Sequence, residues 1–396
     1  MVEVAPLPST EVDFTPRTRV ILAPGAVDRL GEVIEQSGFR KAFVVSDPGV
    51  VEAGHANRAL AALQASGIEC LLWSGVRENP TTSDVDRCLE DARAFGPDAL
   101  VAVGGGSSID TAKGTNFLLT NGGRMEDYWG RDKATQPMLP LFVVPTTAGT
   151  GSETQSFALI SRETDHQKMA CGDVKCSPAV AILDPDLTRT QPRAVAACTA
   201  LDALTHAVEA AVTKARNPVS SLYAREAFRL AHGSLSAILD GTADTEVRSS
   251  MLLAAAWAGV AIEQSMLGAS HSMANPLTAH HGIAHGQAVG SCLPHVIRFN
   301  ASDEDAASEY LHLARLVGLV DSKAREAEAA EALAQSVEEL VQAAGFPLRL
   351  SELGVGDHEL KSLAEEAARQ WTAQFNPLEV GAAEFEELYR VAITGS

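Results

Sequence analysis

The stretch VAVGGGSSIDTAKGTNFLL, Val101–Leu119, decides the fold of the first half of this chain. An apolar, β-branched run ends in three glycines, and a helical pattern begins directly after them. Glycines at such a turn allow the backbone to approach a ligand closely, and the helix N-terminus offers free N–H groups. The stretch predicts a strand–turn–helix unit with a site suited to a pyrophosphate. A tight connection without any ligand is the alternative, because Ile109 stands where the GxGxxG fingerprint needs its last glycine.

The same alternation of strand and helix patterns extends over residues 40 to 185. Short apolar runs alternate with amphipathic stretches such as ANRALAALQASG. This order predicts a mostly parallel sheet with helices on both faces. The predicted strands are Ala42–Ser46, Glu69–Trp73, Asp98–Gly106, Leu141–Thr147 and Ala179–Leu183.

Strand patterns nearly vanish after Pro192, where Ala/Leu/Glu-rich segments such as REAEAAEALAQSVEELVQAAG take over. These segments predict helices separated by Gly and Pro. The fold class is therefore α/β followed by all-α: an N-terminal Rossmann-like parallel-sheet domain, residues 1–190, and a C-terminal helical domain, residues 191–396.

Composition excludes several classes of protein. The 396 residues contain 31 basic and 51 acidic side chains, a net charge of −20, which argues against binding nucleic acid. The longest apolar run, Met251–Ile262, is shorter than the ~18 residues of a membrane span. The N-terminus lacks the pattern of a secretory signal, which favours a cytoplasmic location. Six scattered cysteines without a CxxC pair are expected to be buried thiols.

A second polar loop, PTTAGTGSET at Pro145–Thr154, follows the fourth predicted strand. Hydroxyls and glycines at a strand's carboxyl end suit a phosphate or a ribose, because open α/β sheets bind ligands there. Asp47 ends an earlier strand and is expected to be a turn or cap residue, because the acidic residue of the usual fingerprint follows the glycines instead of preceding them. Two polar loops in one sheet favour nucleotide binding.

The helical half concentrates imidazole in one segment. Within the small-residue stretch Ser265–Gly290, fifteen positions contain His271, His280, His281 and His285. This many imidazoles in apolar surroundings are costly unless something coordinates them. Core histidines satisfied by hydrogen bonds are the alternative.

A predicted helix, ACTALDALTHAVEAAV, supplies a partner for this segment. Asp202 and His206 are four residues apart and project from one face of the helix. A carboxylate and an imidazole one turn apart can both bind a divalent metal, and His271 and His285 can complete a set of one Asp and three His. Such ligands suit Fe²⁺ or Zn²⁺ better than Ca²⁺ or Mg²⁺. A surface ion pair is the alternative for the Asp–His pair alone.

Four motifs in this order resemble the iron-containing (group III) alcohol dehydrogenase family: GGGSSIDTAK, PTTAGTGSE, the Asp-x3-His helix and the H-x13-H segment ending in HGQAVG. The resemblance extends from about Phe14 to the C-terminus. It implies an α/β dinucleotide-binding domain, a helical domain and an active site with a catalytic metal in the cleft between them. The implied activity is that of a metal-dependent, NAD(H)-linked alcohol dehydrogenase or aldehyde reductase, in which the metal stabilises an alkoxide for hydride transfer.

By matching position, the resemblance implies a metal bound by Asp202, His206, His271 and His285. It also implies that a second set of residues binds the cofactor. This set is Asp47, Asn79, Gly104, Gly105, Gly106, Ser107, Asp110, Thr146, Thr147, Thr150, Ser152, Lys168 and Leu187.

Two positions carry expectations about specificity and proton transfer. Asp47 matches the position that faces the adenosine ribose, so its charge predicts NAD over NADP. Many family members have a histidine where this chain has Asn275, and an amide cannot exchange a proton near neutral pH. His281, or else His280, is the candidate to replace it in catalysis.

Three further expectations complete the sequence analysis. A small alcohol or aldehyde is the expected partner, and the enzyme is expected to be a homodimer or larger, with the segment TRVILAPGAVDRL offering an edge strand. One alternative function is a dehydroquinate-synthase-like or polyol-phosphate enzyme of the same superfamily. The other is a non-catalytic relative that binds NAD or metal.

Overall fold

The computed structural model describes residues 12, 14–164 and 167–395, and these divide into two compact units. The first unit is Thr15–Gln191, and the second begins at Pro192 and includes Phe14. The Phe14 ring packs on Tyr223, with 6.0 Å between ring centroids. The sequence analysis predicted a domain boundary between residues 190 and 191. It also assigned residue 14 to the first domain. Residues 1–11, on which the prediction of no secretory signal rests, lie outside the described part.

The first unit is built on a six-stranded sheet in which every neighbouring pair of strands is parallel. The strands are β1 (Arg19–Leu22), β2 (Lys41–Ser46), β3 (Glu69–Trp73), β4 (Ala99–Gly104), β6 (Leu141–Pro145) and β9 (Val180–Leu183). Their order across the sheet is β1-β9-β6-β4-β2-β3. The helices of this unit are α1 (Leu30–Gln36), α2 (Pro48–Glu52), α3 (His55–Ala65), α4 (Thr82–Phe95) and α5 (Gly106–Asn121).

The central strands are apolar along their whole length because both faces of the sheet are covered. Every residue of β4 and β6 is buried, as is every residue of β2 after Lys41. This burial explains why the strands read as continuous apolar runs without alternation. The predicted parallel α/β domain is confirmed.

The strand order brings the predicted ligand loops to one edge of the sheet. After β2 the chain passes to β3 on one side, and after β3 it returns to β4 on the other side of β2. Ligands of open α/β sheets bind beyond the carboxyl ends of the strands at such a reversal. Asp47 follows β2, Gly105 follows β4, and Thr146 follows β6, so all three lie at this edge.

The sequence analysis missed a second, smaller sheet in the first unit. Its order is β5-β8-β7, with β5 (Gly130–Arg131), β7 (Phe157–Ser161) and β8 (Lys168–Gly172). β7 and β8 pair antiparallel, with Ser161 opposite Lys168. Their sequences, FALIS and KMACG, are short and poor in β-branched residues, so the strand signal was weak.

The second unit is helical throughout its described residues, as predicted. Its α-helices are 9 to 23 residues long, and the segments between them range from short turns to the long connection 344–359. The helices are α6 (Arg193–Val212), α7 (Pro218–Asp240), α8 (Thr245–Gln264), α9 (Ala269–His281), α10 (His285–Asn300), α11 (Glu304–Leu316), α12 (Glu326–Ala343), α13 (Leu360–Ala368) and α14 (Ala382–Thr394).

Helix α6 is the apolar core helix of the second unit. By length and hydropathy alone, α6 is long and apolar enough to cross a membrane. Helices α8 and α9, which are bent by 107° relative to each other, meet the same criteria only if the pair is counted as one span. In the structure, 78% of the most apolar window of α6 is buried. Asp202, His206 and Glu209 lie on this helix and are buried with it.

Candidate functional site

The four predicted metal ligands come together within the helical unit. Asp202 and His206 lie one turn apart on α6, whose regular hydrogen bonding places positions i and i+4 on one face. His271 is in the first turn of α9, and His285 is the first residue of α10. Three helices therefore contribute to one cluster.

The cluster is centred on a single carboxylate oxygen. Oδ1 of Asp202 lies 3.3 Å from Nε2 of His206, 3.5 Å from Nε2 of His271 and 3.8 Å from Nε2 of His285. One candidate ligand atom each from Asp202, His271 and His285 lie within 4.8 Å of one another. The rings of His206 and His271 stack, with 4.8 Å between centroids.

These distances fit a bound cation. Ligand atoms about 2.1 Å from a tetrahedral ion stand ~3.4 Å apart, close to the spacings around Asp202. Oδ1 of Asp202 and Nε2 of His271 are buried, and neither forms a hydrogen bond with the described residues. Two such polar atoms facing each other in a protein interior are costly without a partner between them. One carboxylate and three imidazoles are also the donor types that Fe²⁺ and Zn²⁺ accept.

Three side chains of the cluster are nearly inaccessible to solvent, and the fourth is partly exposed. The side chains of Asp202, His206 and His271 are 5% to 7% exposed, whereas that of His285 is 28% exposed. His285 is therefore the member of the cluster that is most open to solvent. A catalytic metal site needs such an opening, while structural metal sites are closed.

The charges within the cluster shift its ionisation equilibria. Burial opposes the charged form of His271, but the carboxylates of Glu209 and Asp202 outweigh it and raise the pKa of His271 to about 9. Burial alone would raise the pKa of Asp202, yet the neighbouring imidazoles, that of His206 foremost, hold it well below its usual range. Protons therefore compete with a cation for this site, and binding is expected to strengthen as pH rises.

A glycine directly after His285 allows the cluster to form. A Cβ atom at Gly286 would lie 1.9 Å from the carbonyl oxygen of Cys198 on α6. Only glycine lets the start of α10 approach α6 this closely. Because Gly286 has no side chain, the start of α10 can lie against α6, and the imidazole of His285 reaches Asp202.

The sequence analysis missed a carboxylate behind the cluster. Glu209 is buried and lies seven residues after Asp202 on α6. Its Oε2 lies 2.5 Å from Nδ1 of His271, and its Oε1 accepts a hydrogen bond of 2.7 Å from the backbone N–H of Ser270. The spacing 202, 206, 209 along one helical face is the signal that was available in the sequence.

In the sheet unit, the three glycines 104–106 (the glycine turn) pack directly against the polar loop 145–154 (the threonine loop). A Cβ at Gly105 would lie 3.2 Å from Thr147, and one at Gly106 would lie 2.7 Å from Cγ2 of Thr150. The first N–H groups of α5 have no partner within the helix and point from this turn. The two loops form one polar surface at the carboxyl edge of the sheet, suited to an anionic group.

Asp47 lies beside this surface and has a local role. It is the N-cap of α2, where its Oδ1 accepts a hydrogen bond of 2.9 Å from the backbone N–H of Val50. Its Oδ2 accepts a hydrogen bond of 3.4 Å from the Ser108 hydroxyl in the first turn of α5. The cap and ribose interpretations of Asp47 are compatible, because a carboxylate accepts several hydrogen bonds.

The other predicted cofactor residues differ in their surroundings. Thr146, Ser152 and Asp110 are buried, while Asn79 is exposed with a left-handed φ of 51°. Leu187 is 1% exposed and belongs to the apolar core of the sheet, so packing is the role that the structure shows for its side chain. Gly104 is the buried last residue of β4. Ser107 and Lys168 are half-buried, at the start of α5 and of β8.

The buried ammonium group of Lys113, also missed by the sequence analysis, holds the threonine loop by hydrogen bonds from within the domain. Nζ of Lys113, on α5, donates to the carbonyl oxygens of Ser152 (2.7 Å), Gln155 (2.7 Å) and Phe157 (2.9 Å). Lys113 is fully buried, and the buried carboxyl groups of Asp110 and Glu153 interact with its charge. Its position one turn after Asp110 in SSIDTAK was the available signal.

Burial raises the pKa of both carboxyl groups, to about 6 for Asp110 and about 7 for Glu153, although Lys113 partly offsets it. A folded-state pKa above the unfolded value means that the protonated form stabilises the fold. This stabilisation is complete below the unfolded pKa of Glu, near pH 4.5, and is lost as pH rises through about 7.

We therefore expect the Glu153→Gln variant to lose less free energy of unfolding than the wild type as the pH rises to neutral. Its free energy of unfolding relative to wild type should rise between pH 5 and pH 8, by up to about 3 kcal/mol. Urea unfolding at four pH values measures this difference. The exposed Glu163→Gln is the control and should follow the wild type. Parallel curves for Glu153→Gln and wild type would show that Glu153 is not a buried acid.

The histidines predicted to replace a family proton carrier lie elsewhere. His281 is the last residue of α9, ten positions or roughly 15 Å of helix beyond His271, and its Nε2 lies 3.3 Å from Glu359. His280 is paired with Glu366 at 2.8 Å. The predicted catalytic role of His281 has no support from this geometry, because α9 directs the two ends of the segment to different places.

Asn275 lies one turn after His271, and its Nδ2 donates a hydrogen bond of 3.0 Å to Oε1 of Gln370. An amide pair therefore occupies the position where the resemblance predicts an imidazole in many family members. Neither side chain of this pair can exchange a proton near neutral pH.

Comparisons with protein families match both units. Residues 16–185 match the model described as iron-containing alcohol dehydrogenase. Residues 196–393 match that of the C-terminal region of the Fe-containing alcohol dehydrogenase family. Together the two matches include most of the chain, the four residues of the cluster and all predicted cofactor residues except Leu187.

Individual relatives agree over nearly their full lengths. Alcohol dehydrogenase 4 of Schizosaccharomyces pombe is 35% identical over 373 residues, which are 94% of this chain and 87% of that protein. The NAD-dependent methanol dehydrogenase of Bacillus methanolicus is 33% identical over 364 residues, 92% and 95% of the two chains. A solved structure of 1,3-propanediol oxidoreductase superposes with a TM-score of 0.92 at 32% identity, covering 96% of this chain and 99% of that one. The chain belongs to the iron-containing alcohol dehydrogenase family.

Proposed function

We propose that this protein is a metal-dependent, NAD(H)-linked alcohol dehydrogenase or aldehyde reductase that acts on a small alcohol or aldehyde. The observation that carries this proposal is the buried Asp202 carboxylate with three imidazole nitrogens within 4 Å of one oxygen. Family membership and the names of the relatives support the reaction type.

In this proposal Asp202, His206, His271 and His285 hold one divalent cation, Fe²⁺ by family and Zn²⁺ as a possible substitute with the same donors. When bound, the cation acts as a Lewis acid on the substrate oxygen while the nicotinamide exchanges a hydride. The chain orients the four donors and excludes water on three sides. The exposed edge of His285 is the side from which a small alcohol enters.

The glycine turn and the threonine loop hold the cofactor in this proposal. The first turn of α5 binds the pyrophosphate through backbone N–H groups, and the hydroxyls of Thr147 and Thr150 lie against the same turn. Asp47 accepts hydrogen bonds from the ribose hydroxyls of the adenosine. Lys113 keeps the threonine loop in place from within the domain.

We also propose a cytoplasmic homodimer or larger oligomer. Strand β1 is at the edge of the six-stranded sheet and pairs with β9 on one side. The other side of such a strand is available to pair with a second copy. Light scattering after gel filtration measures this directly.

A substrate panel tests the function. Short alcohols, diols and aldehydes are assayed with NAD(H) on protein of measured metal content, before and after treatment with a chelator. We expect turnover of at least one short alcohol or diol, loss on chelation, and recovery with Fe²⁺ or Zn²⁺. Steady NADH formation excludes the dehydroquinate-synthase-like alternative, in which the cofactor is regenerated within the reaction. Absence of turnover across the panel favours the non-catalytic alternative.

Cofactor preference tests Asp47. We expect wild-type kcat/KM to favour NAD over NADP by at least about 100-fold, because the carboxylate repels a 2′-phosphate at short range. Asp47→Asn retains the ability to cap α2. It should lower the ratio of kcat/KM with NAD to kcat/KM with NADP at least tenfold. Asp98→Asn, at the opposite end of β4, is the control and should leave the ratio unchanged. Comparable wild-type kcat/KM with both cofactors removes Asp47 from this role.

The contact between the two loops gives a second test. A methyl group at Gly106 would meet the Thr150 side chain at 2.7 Å and push the loops apart. We expect Gly106→Ala to raise the Kd of NADH tenfold or more, measured by nucleotide fluorescence, with metal content unchanged. Adding Thr150→Ser, which removes the nearest methyl, should partly restore binding. In the control Gly233→Ala no atom lies within 4 Å of the new methyl. An unchanged Kd in Gly106→Ala contradicts the assignment.

A further inference from the structure

We propose that Glu209 is a positioning residue that fixes the ring of His271 and balances the charge of the bound cation. This inference rests on the proposed function and extends it to a residue behind the four ligands. Glu209 is not one of the four proposed ligands. It acts on the cluster through His271.

Helical geometry places Glu209 on the same side of α6 as two of the ligands. Seven residues separate it from Asp202, nearly two full turns, and three residues separate it from His206. The three side chains therefore form one polar stripe on a helix whose other positions are almost all apolar. Such a stripe in a core helix is costly unless each member has a partner.

The first partner of Glu209 is the imidazole of His271. Its Oε2 lies 2.5 Å from Nδ1 of that ring. A carboxylate can only accept, so Nδ1 is the protonated nitrogen that donates. The other nitrogen, Nε2, is the one that lies 3.5 Å from Oδ1 of Asp202. Glu209 thus selects the tautomer whose free nitrogen faces the metal site.

The second partner of Glu209 is the start of the helix that carries His271. Helix α9 begins at Ala269 without a side-chain cap from Gly268. Oε1 of Glu209 accepts from the N–H of Ser270 at 2.7 Å, and Oδ1 of Asn376 accepts from the N–H of Ala269 at 3.3 Å. Glu209 therefore holds both the ring of His271 and the backbone turn that carries it.

These two contacts explain why the residue is a glutamate. A glutamine has one oxygen, so its amide nitrogen would face either the N–H of Ser270 or Nδ1–H of His271, donor against donor. A carboxylate satisfies both. Together with Asp202 it also brings two negative charges to the cluster, which equal the charge of a divalent cation among neutral imidazoles. A buried site is least costly when its charges balance.

The test compares metal affinity in Glu209→Gln and wild type. Metal-free protein, prepared with a chelator, is titrated with Zn²⁺ against a chromophoric competitor. We expect the Kd for Zn²⁺ to rise about 10- to 100-fold in Glu209→Gln, the usual cost of losing such a partner of a ligating histidine. The d–d absorption of the Co²⁺-loaded variant should also change, because the ring of His271 is no longer held.

Two controls separate this role from ordinary stabilisation. Glu309→Gln removes another buried carboxylate of the same unit, one that binds Arg225. It should lower the Tm and leave the Kd for Zn²⁺ unchanged. Asn376→Ala removes the neighbouring cap of α9 without touching His271, and should change the Kd for Zn²⁺ less than threefold.

A measurement on the wild type covers the case in which Glu209→Gln does not fold. Nuclear magnetic resonance should show a strongly deshielded imidazole N–H proton that persists when Zn²⁺ binds, since Nδ1–H remains bonded to Glu209. Its disappearance on metal binding overturns the proposal.

The remaining outcomes are also decisive. A Kd for Zn²⁺ in Glu209→Gln equal to that of wild type shows that Glu209 does not position His271, and leaves the proposed function intact. Equal losses in Glu209→Gln and Asn376→Ala show that capping of α9 is its whole contribution. If the wild type itself binds no divalent metal, the proposed function fails and this inference fails with it.

Discussion

The helical unit depends on one buried carboxylate. Asp202 is nearly inaccessible to solvent on the most apolar helix of the unit, and three imidazoles surround one of its oxygens. A charge in such a place is tolerated only when opposite charge and hydrogen bonds satisfy it. The arrangement of α6, α9 and α10 follows from this requirement, because each helix brings part of the compensating group. The close approach of α10 to α6 at Gly286 and the capping of α9 by Glu209 also hold these helices around Asp202.

The sheet unit uses a buried charge in a related way. The ammonium group of Lys113 is inaccessible to solvent, and three backbone carbonyls accept its protons. These carbonyls belong to the segment that includes the threonine loop, so one side chain of α5 fixes the loop that faces the glycine turn at the start of α5. Support for the loop therefore comes from within the domain.

Asn275 places an amide, not an imidazole, one turn after His271. Three imidazoles gather around Asp202, while the amide pair of Asn275 and Gln370 stands one turn further along α9. His280 and His281 face Glu366 and Glu359 at the far end of that helix. The chemistry of this segment is therefore decided by where α9 ends and by what packs beside each of its turns.

The sequence by itself determined what local patterns can encode. Continuous apolar runs predicted the buried parallel strands, the glycine turn predicted the start of α5, and the spacing of Asp202 and His206 placed both on one helical face. The small sheet was missed because its short strands lack the β-branched pattern.

Only the tertiary structure decided that Glu209 meets His271 and that Lys113 meets the threonine loop. It also decided that His285 reaches Asp202 while His281 does not. The physical reason is that these contacts join residues 39 to 83 positions apart, and helix packing sets such distances, whereas sequence spacing does not.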